Sequence, residues 1–223
     1  MSRIDVRRVD FGYFVRPGSE TADGAARVEP VLGYLIAHPD GLLLVDSGMG
    51  THPWVEGHYR PARVELPSAL ARAGVTLDDI GYVTNCHLHF DHCGGNPLLP
   101  GRPVFTQRAE LDLARNVEDH TLPELVDPPG LTHVELDGET EIRPGVHIIP
   151  TPGHTAGHQS VVVRQDDGSV IVAGQSHDNA SLFTYDALGA RVGEGSPPPW
   201  IARLLDFDPR RIVFAHDNAE WTP

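Results

Sequence analysis

The sequence predicts a layered α/β protein built on two sheets. Two observations carry this reading. Apolar runs rich in β-branched residues recur along the 223 residues and give way twice to helix-like stretches over short connections. Several of those runs also end on a polar residue, which is how a sheet scaffold converges groups from distant parts of a chain. No internal repeat and no linker divides the sequence, so a single domain over residues 1–223 is expected.

The elements follow in order. Ile4 to Val15 reads as a strand, and Pro17 to Glu29, polar and glycine-rich, as a mobile loop. Val31 to Ala37 and Leu42 to Val45 flank the turn signal Pro39-Asp40-Gly41 and predict a hairpin, with Asp46 at its exit. Pro67 to Ala73 predicts a short helix with proline in the first turn and Gly74 as the stop. Ile80 to Asn85 is a buried strand that runs into His87-Leu88-His89-Phe90-Asp91-His92. Val104 to Thr106 predicts a strand and Gln107 to Val117 a helix, followed by a proline-rich stretch, Asp119 to Leu131, suited to a lid. Strands are expected at Val146 to Ile149, Ser160 to Arg164, Val170 to Ala173 and Arg211 to Ala215, and a helix at Pro199 to Phe207.

The run from His87 to His92 places three imidazoles and a carboxylate within six residues. These are donor types that zinc, iron(II) and manganese accept, and so many polar groups would each need a partner if buried. Further polar residues stand at the tips of later strands: His154 and His158 after Ile149, Gln175 after Ala173, and His216 and Asp217 after Phe214. The thiols of Cys86 and Cys93 flank the cluster without forming a CxxC pair. They read as a buried thiol and a site-adjacent thiol, with Cys93 an open candidate for an extra ligand.

The net charge of −14 opposes nucleic-acid binding, and all 17 cationic side chains are arginine. Without lysine, mechanisms that need a lysine nucleophile or anchor are excluded. An anionic substrate is disfavoured, although a metal centre supplies local positive charge. No stretch approaches a membrane span and Met1-Ser2-Arg3-Ile4-Asp5 lacks an apolar signal core, so a cytoplasmic protein with a small-molecule substrate and no membrane partner is expected; the oligomeric state stays open.

The pattern HxHxDH at 87–92, with His154 in a TPGHTxGH segment and a final His216, resembles the metallo-β-lactamase fold superfamily from about Asp46 to His216. Val45 to Met49 and Thr151 to Ser160 are most similar to the N-acyl homoserine lactone lactonases. The resemblance implies an αββα sandwich of two mixed sheets flanked by helices, with one or two ions, zinc or else iron or manganese. It implies His87, His89 and His154 as ligands of one ion, Asp91, His92 and His216 as ligands of a second, and Asp46 as a group orienting a ligand imidazole. The implied activity is a metal-dependent hydrolase that opens a lactone or small ester by attack of a metal-bound hydroxide, with Asp91 passing a proton to the leaving oxygen.

Two positions depart from that pattern. Where the family usually carries an aspartate bridging both metals stands Gln175, whose neutral amide has one oxygen to offer. Three outcomes stay open: two ions with Gln175 beside them, a single tight ion, or rescue by His177 or Asp178. Where lactonases of this type present a carbonyl-polarising tyrosine, this chain has Asp178, with Tyr185 placed to reach the site from a loop. Competing readings are a mononuclear iron dioxygenase of sulfur compounds, a thioester hydrolase of the same fold, and a decayed metal-binding protein. Trp54, Tyr59 and the stretch from Asp119 to Gly130 are candidates to line an apolar pocket, and the remaining histidines are assigned to core or surface.

Overall fold

The computed structural model describes residues 4–21 and 23–223. Met1 to Arg3, and Ala22 within the Pro17 to Glu29 stretch, lie outside the described residues. In chain order the elements are β1 (Asp5–Arg16), β2 (Arg27–His38), β3 (Gly41–Val45), α1 (Pro53–Tyr59), β4 (Ala62–Arg63), α2 (Leu66–Arg72), β5 (Ile80–Thr84), α3 (Phe90–Cys93), β6 (Pro103–Gln107) and α4 (Arg108–Asn116). There follow α5 (Pro123–Val126), β7 (Thr132–Leu136), β8 (Thr140–Arg143), β9 (Val146–Pro150), β10 (Gln159–Gln165), β11 (Gly168–Val172), α6 (Ala180–Val192), α7 (Trp200–Leu205) and β12 (Pro209–Val213).

The strands form two mixed sheets, ordered β4-β1-β2-β3-β5-β6-β7 and β12-β11-β10-β9-β8. In the first, β1, β2 and β3 are antiparallel, and β3, β5, β6 and β7 run parallel. In the second, only β11 and β12 are parallel. Strand alternation shows why the sheets stack. On β2, Leu32, Tyr34 and Ile36 face the second sheet, while Val31 and Leu35 face outward toward α2. On β10, Val161 and Val163 enter the same inter-sheet core and Val162 turns to the other side, against α6 and α7. Both faces of each sheet are therefore buried, and the layers read helix, sheet, sheet, helix. Among the described residues no helix is long and apolar enough to cross a membrane.

Several elements depart from the expectation. β2 begins at Arg27, so Glu29 is a buried strand residue rather than part of a mobile loop; Arg16 and Arg27 each place a guanidinium nitrogen 2.7 Å from its carboxylate and neutralise it. The proline-rich lid contains the short helix α5. The thirteen-residue helix α6 gave no sequence signal, because it buries only Ala180, Phe183 and Ala187 and leaves Leu182, Tyr185, Leu188 and Val192 exposed, which blurs its apolar face.

Candidate metal centre

The loops at the carboxyl ends of β3, β5, β9, β11 and β12 meet along one edge of the sandwich. The sequence arranges this locally. The 87–92 run leaves β5 and turns at once into α3, with His89 at its N-terminus. The β11 exit passes so close that a Cβ on Gly174, which sits at φ +57°, would lie 2.3 Å from the Cβ of Cys86. Gly157 allows a second close approach, since a Cβ there would stand 2.2 Å from the amide nitrogen of Glu110. Asp46 follows β3 directly at φ +61°, a conformation that strains a non-glycine residue. From there its carboxylate accepts the Cys86 N–H at 2.8 Å and meets His92 Nδ1 at 3.0 Å, so the strained turn fixes both the loop and the imidazole.

Three groups of donor atoms result among the described residues, each with its members within 4.8 Å of one another: His87, His89 and His154; Asp91, His92 and His216; and Cys86, His87 and His92. In the first, His154 Nε2 faces His89 Nδ1 at 3.1 Å, and the buried Nε2 of His87 has no hydrogen-bond partner. In the second, His92 Nε2 and His216 Nε2 are 3.2 Å apart, and one Asp91 oxygen lies 3.4 Å from each. The outward nitrogens are held elsewhere: His92 Nδ1 by Asp46 and His216 Nδ1 by the carbonyl of Pro30 at 2.8 Å. A buried imidazole nitrogen with no partner is costly unless something binds it, and converging lone pairs suit a cation. The donor set therefore fits two divalent ions, one on three nitrogens and one on two nitrogens and an oxygen.

Electrostatics favour an ion on the first group, whereas in the metal-free second group burial is outweighed by Cys86, Asp91 and Asp46, which hold His92 well above the usual histidine value. Burial, with the neighbouring imidazoles, pushes His89 down to about 4 and His154 down to about 2, and holds His87 well below the usual histidine value. All three are free bases at neutral pH, the form that binds metal. Burial opposes the Asp91 charge, yet His92 and His216 hold its carboxyl far below the ordinary range.

The other expected residues are placed as follows. Gln175 is buried beside the cluster and lines the same cavity as His89, Asp91 and His154. His177 does not come to its aid: its Nε2 lies 3.1 Å from Asp186, and its ring packs on Phe183 and Trp200. Asp178 is likewise taken, paired with Arg27 at 2.6 Å. Tyr185 is not brought to the site, for it is 74% exposed on α6, where a helical rather than loop backbone directs it to solvent. Cys93 is no ligand either, since its thiol meets the carbonyls of Leu88 and His89. Cys86 is the thiol that touches the imidazoles, 3.2 Å from Nδ1 of His87 and of His92; it reaches their outward sides, and burial pushes it up to about 12, so it remains protonated.

Two residues escaped the sequence reading. Glu110, on α4 and 1% exposed, accepts from Leu88 N–H at 2.9 Å and Thr155 O–H at 2.6 Å, and lies 3.0 Å from His120 Nε2. One carboxylate thus ties the 87–92 loop, the TPGH loop and the lid together. The His120 ring lies 4.8 Å from the His89 ring at a tilt of 59° and lines the cavity. A glutamate in the first turn of an amphipathic helix carries no signal that it is buried, and His120 lies in an irregular segment. His158 lies outside the donor groups: its Nδ1 is 2.8 Å from the Thr151 hydroxyl, and its buried Nε2 has no hydrogen-bond partner among the described residues. Asp217 caps α6 by accepting from the Ala180 N–H at 2.9 Å.

A family model described as the metallo-beta-lactamase superfamily matches residues 26–216. The chain belongs to the metallo-beta-lactamase superfamily. Within this superfamily it is 35% identical over 158 residues to an N-acyl homoserine lactonase of a Bacillus species, an alignment covering 64% of this chain and 62% of that protein. The chain thus spans less than two thirds of the length of that relative. It is 32% identical to the N-acyl homoserine lactonase AttM of Rhizobium johnstonii, over 90% of this chain and 86% of the relative. A solved N-acyl homoserine lactone hydrolase with N-hexanoyl-L-homoserine bound at its catalytic metal centre superposes with a TM-score of 0.78 at 28% identity, covering 98% and 95% of the two chains. The superfamily's αββα sandwich is the arrangement of layers found here.

Proposed function

We propose that this chain is a metal-dependent hydrolase that opens the ring of N-acyl homoserine lactones, with zinc as the resident metal. One observation carries the reading: His89 and His154 of one donor group and Asp91 of the other line a cavity of about 670 Å³ that also presents the apolar side chains of Phe14, Trp54, Tyr59, Phe90 and Leu122. Such a cavity suits an uncharged ligand with a polar head and an aliphatic tail. The likeness to lactonases over most of the chain supports the same class.

When bound, the ions supply Lewis acidity and lower the pKa of water at the site. The residues do the rest. His87, His89 and His154 offer three neutral imidazoles, and Asp46 and Pro30 orient His92 and His216 through their outward nitrogens. Asp91 lines the cavity beside the donor nitrogens and would take up the proton released during attack and return it to the ring oxygen as it leaves. The ring geometry keeps that alkoxide beside Asp91, because the leaving group stays attached. Gln175 faces the same space with an amide that can donate to one oxygen and accept from another, without adding negative charge.

The test is metal content per chain by mass spectrometry of the purified protein, followed by lactone, ester and thioester panels on that sample. Zinc at up to two ions per chain with turnover of N-acyl homoserine lactones is the expected result. Metal-replete protein that hydrolyses none of the panel overturns the proposal, and one iron per chain with oxygen consumption on a persulfide would replace it by sulfur-compound oxidation.

A further inference from the structure

Arg16 is the one arginine among the described residues lining the cavity, in a chain without lysine. Its position is set by three contacts. Nε lies 2.7 Å from Glu29, which also takes Arg27 at 2.7 Å. The guanidinium carbon sits 5.6 Å from the centre of the Phe14 ring. Phe14 also meets the ring of His216 edge-on, with centroids 5.6 Å apart, so one aromatic ring contacts both the guanidinium and an imidazole of the second donor group. The terminal nitrogens make no hydrogen bond among the described residues, and Nη1 lies 4.0 Å from a Glu20 carboxylate oxygen.

We propose that Arg16 is a specificity-determining residue that donates to a second carbonyl oxygen of the substrate, the amide carbonyl of an acylamino lactone. This rests on the lactonase reading above. In such a molecule only the α-carbon and the amide nitrogen separate the amide carbonyl from the lactone carbonyl. With the scissile carbonyl at the donor groups, the amide oxygen stays within a few bonds of them in a cavity that Phe14 and Arg16 also line, and the proposed contact orients it toward that pair. The charge balance favours a neutral acceptor over a carboxylate. Glu29 and Asp178 already offset Arg16 and Arg27, and Glu20 stands nearby, so Arg16 offers directed N–H groups without a local excess of positive charge. Burial opposes its charge, but Glu29, Asp91 and Asp178 outweigh that and raise its pKa, so the donor never titrates.

The experiment compares kcat and KM for N-hexanoyl homoserine lactone and for an alkyl γ-lactone of matched length that lacks the amide. It uses the zinc-loaded full chain as wild type, Arg16→Met, Arg16→Lys and Arg27→Met, with melting curves on each. Loss of a charge-assisted hydrogen bond predicts that Arg16→Met lowers the preference for the acylamino lactone by roughly 10- to 100-fold, mostly through KM. Arg16→Lys keeps a charge near Glu29 and should recover part of the preference; it carries the test if the methionine variant does not fold. Arg27→Met takes the other guanidinium off Glu29 from outside the cavity and should leave the preference in place. Equal losses on both lactones, or an Arg27→Met effect as large as that of Arg16→Met, overturn the proposal. Failure of the lactonase reading looks different, as wild type turning over neither lactone. In that event calorimetric titration with ring-opened N-hexanoyl homoserine and with a 4-hydroxyalkanoate of matched length that lacks the amide decides: a loss of binding to Arg16→Met confined to the amide ligand supports the role, and equal losses on both, unchanged binding, or none to wild type, remove it.

Discussion

Replacing Glu110 by glutamine tests whether one buried carboxylate organises the metal-binding loops. The native group accepts from Leu88 N–H and Thr155 O–H and pairs with His120, at 2.9, 2.6 and 3.0 Å. An amide of the same shape keeps one acceptor oxygen, presents N–H₂ to the second donor and loses the charge that strengthens all three contacts. Hydrogen bonds to charged groups are worth about 1.5–3 kcal/mol each and neutral ones about 1, so a net loss of about 2 kcal/mol is expected. For a chain of this size that lowers Tm by roughly 4–8 °C. Alanine leaves two buried donors unsatisfied as well and should cost about 4–6 kcal/mol, a large part of the stability of an ordinary domain. The pH dependence has a definite sign. Burial raises the Glu110 pKa, but His120, Thr155 and the Leu88 amide outweigh it, so the native value lies below the unfolded one. Its contribution is complete above an unfolded pKa of about 4.3 and disappears as pH falls through the native value. Urea unfolding of metal-free wild type and Glu110→Gln between pH 3 and pH 7 measures this. A difference under about 0.5 kcal/mol at pH 7, or one that does not shrink in acid, refutes the reasoning.

Three further outcomes are expected. Gln175→Asp restores a second negative oxygen beside the donor groups and should raise metal occupancy at limiting zinc, measured by equilibrium dialysis; unchanged occupancy would mean that position 175 does not touch the metals. Asp46→Asn tolerates the φ of +61° but cannot both accept from the Cys86 N–H and receive His92 Nδ1–H as a charged acceptor, so zinc affinity should fall about 10- to 100-fold with the fold intact by circular dichroism. Gly174→Ala places a Cβ 2.3 Å from that of Cys86 at a backbone angle that disfavours side chains, and should destabilise the protein by roughly 2–4 kcal/mol in chemical denaturation.

The strands were legible because both faces of each sheet are buried, which writes long β-branched runs such as Val161-Val162-Val163 into the chain. The hairpin turn at Pro39 to Gly41 and helix α2 carried their own proline and glycine signals. Helix α6 and strands β7 and β8 did not, since α6 hides only small patches of its surface and β7 is largely exposed. At the site, the metal-binding pattern was visible because the donors are infrequent residue types at strand ends. The residues around them are common types whose role depends on who lies opposite: Glu110 reads as an ordinary surface glutamate, and Arg16, which lines the cavity, as a charge at the end of a strand. His177, Asp178 and Tyr185 looked available because proximity in sequence to Gln175 suggests proximity to the metals. The geometry of α6 and the Arg27 ion pair take them away.

The sequence by itself determined that this chain builds a metal-binding edge on a two-sheet sandwich, since donor chemistry and strand periodicity are local properties. Only the tertiary structure decided which side chains share that edge. Burial, ion pairing and helix direction are set by residues far apart in the chain, and these direct His120, Glu110 and Arg16 toward the site and Tyr185 away from it.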